Sequence, residues 1–373
     1  VGGLPNDSAS EVSVRAEGPL ADWALDLAAE VERLIAVEGS ARIGARAPVS
    51  VDASLTARAG EALDPAVAAA LGEVARLAVR VREDEAGRVA VERAEIDSPA
   101  LSGRVSGAFL RGEGRMDFDV DLAARAPLAE AIEGADFERI GFVGRLEGLL
   151  SDFEAAGELS VDGFATAPAD LAAGRFDARV TRAGDAIGVF AEGAAEGLRL
   201  DRLGPELLGT PELVVEAGWD LAASAGTLSR LSLASEALTL SAEGEADVAG
   251  DSVSLDYRLE SPEIGPIAAA YDAPVSGAIR AEGAASGALS APRLAGEAAL
   301  ERLEIDGEGW GDVVLTHDAA LGEAPEGGLT FAAEGTPYGP VRAATRFRLA
   351  EGRLSLTELA AEGLGLTAAG AVE

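Results

Sequence analysis

Met116, Phe118, Val120 and Leu122 alternate with Asp117, Asp119 and Asp121. Strict alternation of this kind describes a strand with one apolar and one charged face, because successive side chains on an extended backbone point to opposite sides. The same period recurs at Val253, Leu255, Tyr257 and Leu259 against Ser254, Asp256 and Arg258, and at Leu213, Val215, Ala217, Trp219 and Leu221. Val49, Val51, Ala53 and Leu55 follow it too, with shorter examples at Trp23, Leu25 and Leu27, at Leu238 and Leu240, and near the end at Phe347, Leu349, Leu354, Leu356, Leu364 and Leu366. Turn signals such as Glu-Gly, Ser-Pro and Gly-Asp separate these segments. The expected fold class is all-β.

Composition narrows the function. Of 373 residues, 48% are hydrophobic but only 4% aromatic, so the apolar faces are built from Ala, Leu and Val rather than rings. The 65 acidic residues outnumber the 30 basic ones, giving a net charge of −35. Such a chain cannot neutralise phosphates as a nucleic-acid binder does, nor adsorb through charge to an anionic bilayer. Every basic residue is Arg, with neither Lys nor Gln present, which reads as the codon bias of a GC-rich genome. The absence of Cys removes thiol catalysis and disulfide stapling, and a single His leaves no material for a histidine metal site. No stretch approaches the roughly 18 to 20 uncharged apolar residues of a transmembrane helix. The chain opens at Val1 without a basic or apolar leader and reads as an internal piece of a longer protein.

Helical signals are few. Asp64 before Pro65 resembles an N-cap followed by proline at the first helical position, with Val67, Leu71, Val74 and Ala78 on one face. Pro127 starts a similar segment through Leu128 and Ile132, and Pro205 and Pro266 start single turns. Weak repetition links Gly148, Leu150, Ser151, Gly157 and Glu158 to Gly287, Leu289, Ser290, Gly296 and Glu297. Ser98-Pro99, Ala167-Pro168, Thr210-Pro211, Ser261-Pro262 and Ala291-Pro292 sit at strand boundaries, where the missing N–H of proline does least damage. No composition break cuts the chain, so residues 1–373 are expected to form one continuous repetitive β domain. About 25 to 30 strands at roughly 4.8 Å would extend on the order of 120 to 145 Å.

Chemistry-bearing motifs fail on inspection. His317 follows Val313 and Leu315 on one strand face, and no G-x-S-x-G elbow supplies a nucleophile for it. Asp117, Asp119 and Asp121 match half a calcium loop, but Leu122 stands where Gly is required and Leu128 where the bidentate Glu belongs. Gly363, Gly365 and Ala368 spell a dinucleotide pattern without a following helix. A P-loop lacks its lysine, and among so many carboxylates no pair singles itself out for glycoside hydrolysis. An enzyme is not expected; no catalytic residue, metal or cofactor is assigned.

From Leu238 to Asp306 the chain carries alternating Leu238 to Val248, the strand Val253 to Leu259, the Ser261-Pro262 step, the apolar Gly265-Pro266-Ile267 turn and the small-residue run from Pro274 to Gly296. In these features it resembles the TamB family, inner-membrane-anchored translocation and assembly module proteins of Gram-negative envelopes, and the wider AsmA-like group. The resemblance implies a β-taco, a long sheet folded over so that its apolar face lines a groove. It also implies a periplasmic location, anchorage by a segment outside this chain, phospholipid acyl chains as cargo and a TamA-like outer-membrane barrel protein as partner. The groove lining expected on this reading is Met116, Phe118, Val120, Leu122, Leu213, Val215, Trp219, Leu221, Leu238, Leu240, Val253, Leu255, Tyr257 and Leu259. The alternatives are a β-rich scaffold or chaperone for outer-membrane protein assembly, which would offer a sheet edge to incoming strands, a β-solenoid adhesin, and a β-helical carbohydrate-active enzyme.

Overall fold

The computed structural model describes residues 10–19, 21–31, 33–46, 48–63, 65–129, 134, 136–166, 169–322, 324–337, 339–350, 353–363 and 366–372. Val1, Asp64, Ile132, the Ala167-Pro168 step, Leu364 and Gly365 lie outside these residues. Contacts divide the chain into two compact units, Val1–Gly184 and Asp185–Glu373.

The strands of the first unit are β1 (Ser10–Glu17), β2 (Asp22–Val31), β3 (Ile35–Gly44), β4 (Val49–Ala59), β5 (Ala75–Glu83) and β6 (Arg88–Asp97). They continue as β7 (Leu101–Leu110), β8 (Arg115–Arg125), β9 (Arg139–Leu149), β10 (Asp152–Thr166) and β11 (Ala169–Ala183). Each pairs antiparallel with the next, forming a meander. Helix α1 (Pro65–Leu71) joins β4 to β5, and the single turn α2 (Ala126–Ala129) follows β8. The expected helix face through Val74 and Ala78 is not formed: α1 ends at Leu71 because Gly72 turns to a left-handed φ of 61°, and Ala78 belongs to β5.

The second unit opens with β12 (Ala186–Glu196), the short β13 (Arg199–Leu200) and the turn α3 (Pro205–Leu208), followed by β14 (Glu212–Asp220), β15 (Ala225–Ala234), β16 (Thr239–Asp247) and β17 (Ser252–Ser261). Helix α4 (Gly265–Ala270) leads into β18 (Val275–Ala288), β19 (Ala291–Ile305), β20 (Glu308–Ala320), β21 (Glu326–Ala333), β22 (Val341–Ala350), β23 (Arg353–Gly363) and β24 (Leu366–Val372). β12 pairs with β14, and from there each strand pairs antiparallel with its successor. The described residues hold twenty-four strands. That is fewer than expected, because β10, β11 and β19 run to 15 residues each.

The weak sequence repeat is a structural one. β10 and β19 have the same bounds shifted by 291 − 152 = 305 − 166 = 139 residues. The same shift carries Pro127 of α2 onto Pro266 of α4, and the facing pair Gly144–Gly157 onto the facing pair Gly283–Gly296. Further upstream the correspondence persists with small drift. A bulge between Val91 and Ala94 opposes Gly107, and one between Leu228 and Leu231 opposes Gly244. Both glycines have positive φ, 143° and 153°, and a Cβ on either would lie 2.1 Å from a backbone oxygen of the neighbouring strand. The bulges adjust register so that apolar residues stay on one face.

Buried side chains concentrate where the helices and longer connections lie. In the first unit this rim holds Ala75, Ser98, Ala100, Ala129 and Phe137; in the second it holds Leu208, Leu238, Ser261, Leu303 and Val313. Trp310 packs edge-on against Phe331 beside the Leu303–Val313–Ala333 cluster, ring centroids 6.0 Å apart. Serine hydroxyls stitch the rim: Ser98 Oγ accepts from Leu101 N at 2.9 Å, Ser235 Oγ from Leu238 N at 3.1 Å, and Ser261 Oγ donates to Ala237 O at 2.7 Å. At the opposite strand ends, turn residues leave apolar side chains in solvent, among them Leu150 at 71%, Leu221 at 47% and Val248 at 55% exposure.

Candidate functional site: an uncharged sheet face

In the first unit one cross-strand row reads Val14, Leu27, Gly39, Leu55, Leu77, Ile96, Gly103, Leu122, Phe142, Leu159 and Phe176 from β1 to β11. The adjacent row passes through Ala16, Leu25, Ala53, Val79, Val105 and Val120 to Ala178, also without a charge. The second unit repeats the arrangement: Leu213, Leu233, Leu240, Leu259, Ala281, Ala298, Leu315, Phe331, Ala343 and Ala361 face one another in turn. Each strand alone supplies only alternation. Antiparallel register, adjusted at bulges such as those opposite Gly107 and Gly244, turns that alternation into unbroken apolar rows.

The opposite face carries the charge. Arg145 meets Asp117 at 2.9 Å and Glu147 at 2.6 Å, and Arg179 meets Glu154 at 3.1 Å. Arg93 first and Arg104 second hold the Glu95 carboxyl below the usual range, and Arg293 does the same for Asp318. Asp117, Asp119 and Asp121 therefore belong to an exposed acidic strand face. A shallow cavity of about 1000 Å³ in the second unit opens on this charged side, among Arg230, Glu243, Asp256, Arg258, Glu282 and Glu297.

Of the expected lining residues, Met116, Phe118, Val120 and Leu122 share one face of β8; Leu213, Val215 and Trp219 share one face of β14. Leu240 lies on β16, and Val253, Leu255, Tyr257 and Leu259 on β17, on the same rows. Two lie off the strands. Leu221 sits in the turn after β14, and Leu238 is buried in the rim turn held by Ser235. Most of the face is neither closed nor bare: it is half-buried, with Trp219 and Trp23 each 37% exposed.

One polar contact crosses the apolar rows. Tyr257 Oη lies 2.7 Å from His317 Nε2, although β18 and β19 run between their strands. The residues at that row on the two intervening strands are Gly283 and Gly296, so the phenol lies over a floor without side chains. Burial pushes the Tyr257 hydroxyl up, keeping it a proton donor. The sequence shows both residues on strand faces but not that they meet, since they stand 60 positions apart; only the glycines between them signal the contact. Gly363 ends β23 and Ala368 lies in β24, so these two positions of the dinucleotide-like pattern fall in strands, Gly365 lying outside the described residues.

Among the described residues no cluster of His, Asp and Glu is placed to hold a metal, and no helix is long and apolar enough to cross a membrane. No protein-family model matches the chain, and neither the curated proteins nor the solved structures contain a match.

Proposed function

We propose that the uncharged face carries phospholipid acyl chains, the sheet curling over them as a β-taco, and that the protein moves lipid between the inner and outer membranes across the periplasm. The observation that carries this reading is the continuity of the apolar rows across each unit, combined with their partial exposure. Exposing acyl chain to water costs roughly 0.8 kcal/mol per CH₂, on the order of 12 kcal/mol for sixteen carbons. A track of Leu, Val and Ala removes most of that barrier at every step without a strong polar contact to trap the lipid. Charged residues on the other face keep the sheet in water. The TamB-like features between Leu238 and Asp306 fit this reading and extend it to an anchor outside the chain and to a TamA-like barrel partner.

Organic extraction and mass spectrometry of protein prepared without detergent from a Gram-negative host test the proposal. Several phospholipids per chain support it; lipid no higher than in a soluble control of equal size contradicts it. A second reading, a scaffold for incoming barrel strands, draws support from β1. All eight of its residues are exposed, and among the described residues it is paired only with β2. That reading expects binding of unfolded β-strands in place of lipid.

A further inference from the structure

His317 is the sole histidine of the chain, and it stands in the middle of an apolar row. On its own face its neighbours are Leu315 and Ala319 along β20, Gly296 on β19 and Leu329 on β21, with Thr345 beyond on β22. Tyr257 reaches it from β17 over Gly283 and Gly296: a Cβ on Gly283 would lie 2.5 Å from the phenol oxygen, and one on Gly296 2.9 Å from it. No carboxylate or guanidinium of β17 to β22 shares that face near it. Asp318, tied to Arg293, and Glu282 and Glu297 point to the charged side.

The duplicated module provides an internal comparison. By register, Val120 faces Gly144 as Tyr257 faces Gly283, and Ala178 faces Gly157 as His317 faces Gly296. The first copy therefore has the same floor and no group that changes charge. The second copy has a titratable group in its place.

We propose that His317 is a proton-controlled stop on the lipid track. Neutral, it accepts the Tyr257 hydrogen and the row stays uncharged; protonated, it puts a positive charge among the apolar side chains, where an acyl chain would otherwise lie. Imidazole is the side chain whose charge ordinarily changes between about pH 5 and 8. The inference rests on the lipid-carrying reading.

The test is uptake of fluorescent phosphatidylcholine from phosphatidylcholine vesicles at pH 8 and pH 5.5, a headgroup that does not titrate over this range. Wild-type protein is expected to load on the order of tenfold less at the lower pH. His317→Gln, which keeps an acceptor for Tyr257 without a charge, should load equally at both, and His317→Arg poorly at both. Because the chain has one His, its NMR titration is unambiguous, and its midpoint should coincide with that of loading. Equal wild-type loading at the two pH values, or a His317→Gln profile that follows wild type, overturns the stop while leaving the lipid reading intact. No wild-type loading at either pH overturns the lipid reading and the stop with it.

Discussion

Gly157 faces Gly144 across β9 and β10 so closely that a Cβ on Gly157 would lie 2.4 Å from the Gly144 Cα and 2.2 Å from the Val143 carbonyl oxygen. Neither atom belongs to a movable side chain, so Gly157→Ala forces the two strands apart. A loss of about 1–3 kcal/mol is expected in urea unfolding. Gly328→Ala, where no atom lies within 4 Å of the new methyl, should leave stability unchanged or slightly raised.

Ser261 is 2% exposed and donates to Ala237 O, tying the end of β17 to the turn before β16. Ser261→Ala leaves that carbonyl without its partner and should cost about 1–2 kcal/mol. A thermal midpoint equal to wild type would mean that water replaces the hydroxyl.

Glu263 accepts from Gly265 N at 2.9 Å and Gly277 N at 3.3 Å, and these bonds hold its carboxyl below the usual range. Its pKa is thus lower folded than unfolded. The stabilisation is fully present above the unfolded carboxylate value of about 4.3 and is lost as pH falls through the folded value. The stability gap between wild type and Glu263→Gln should therefore be constant near neutral pH and close on acidification. Taking the difference between variants removes the opposing effect of a chain whose −35 charge is neutralised over the same range.

Val120→Asp and Leu255→Asp each place a carboxylate in an apolar row. Lipid per chain should fall by at least about tenfold, while soluble β-rich protein is retained. Asp119→Asn, on the charged face of the same strand as Val120, should load as wild type. If Val120→Asp loads normally, position 120 does not lie on the track.

Much of the fold was legible because alternation at Met116 to Leu122 or Val253 to Leu259 is a local property. The prolines at 65, 127, 205 and 266 likewise marked the helix starts. The stop at Gly72 was missed because Val74 and Ala78 continue a helical spacing that only the left-handed glycine interrupts. The duplication was visible at ten residues alone, since apolar identities drift freely on a face that asks only for size and hydrophobicity. Bulge glycines such as Gly107 and Gly244 keep the register of both copies. The Tyr257–His317 contact depends on register across four strands, and no local pattern encodes it.

Phe118 and Asp119 are chain neighbours on opposite faces of β8, so a photoreactive residue placed at one position or the other reads the two faces of the same strand. Illumination of protein purified from a Gram-negative host should yield phospholipid adducts at 118 and none at 119. Adducts of equal yield at both positions, or none at 118 in a folded protein, would contradict an acyl-chain track on the uncharged face.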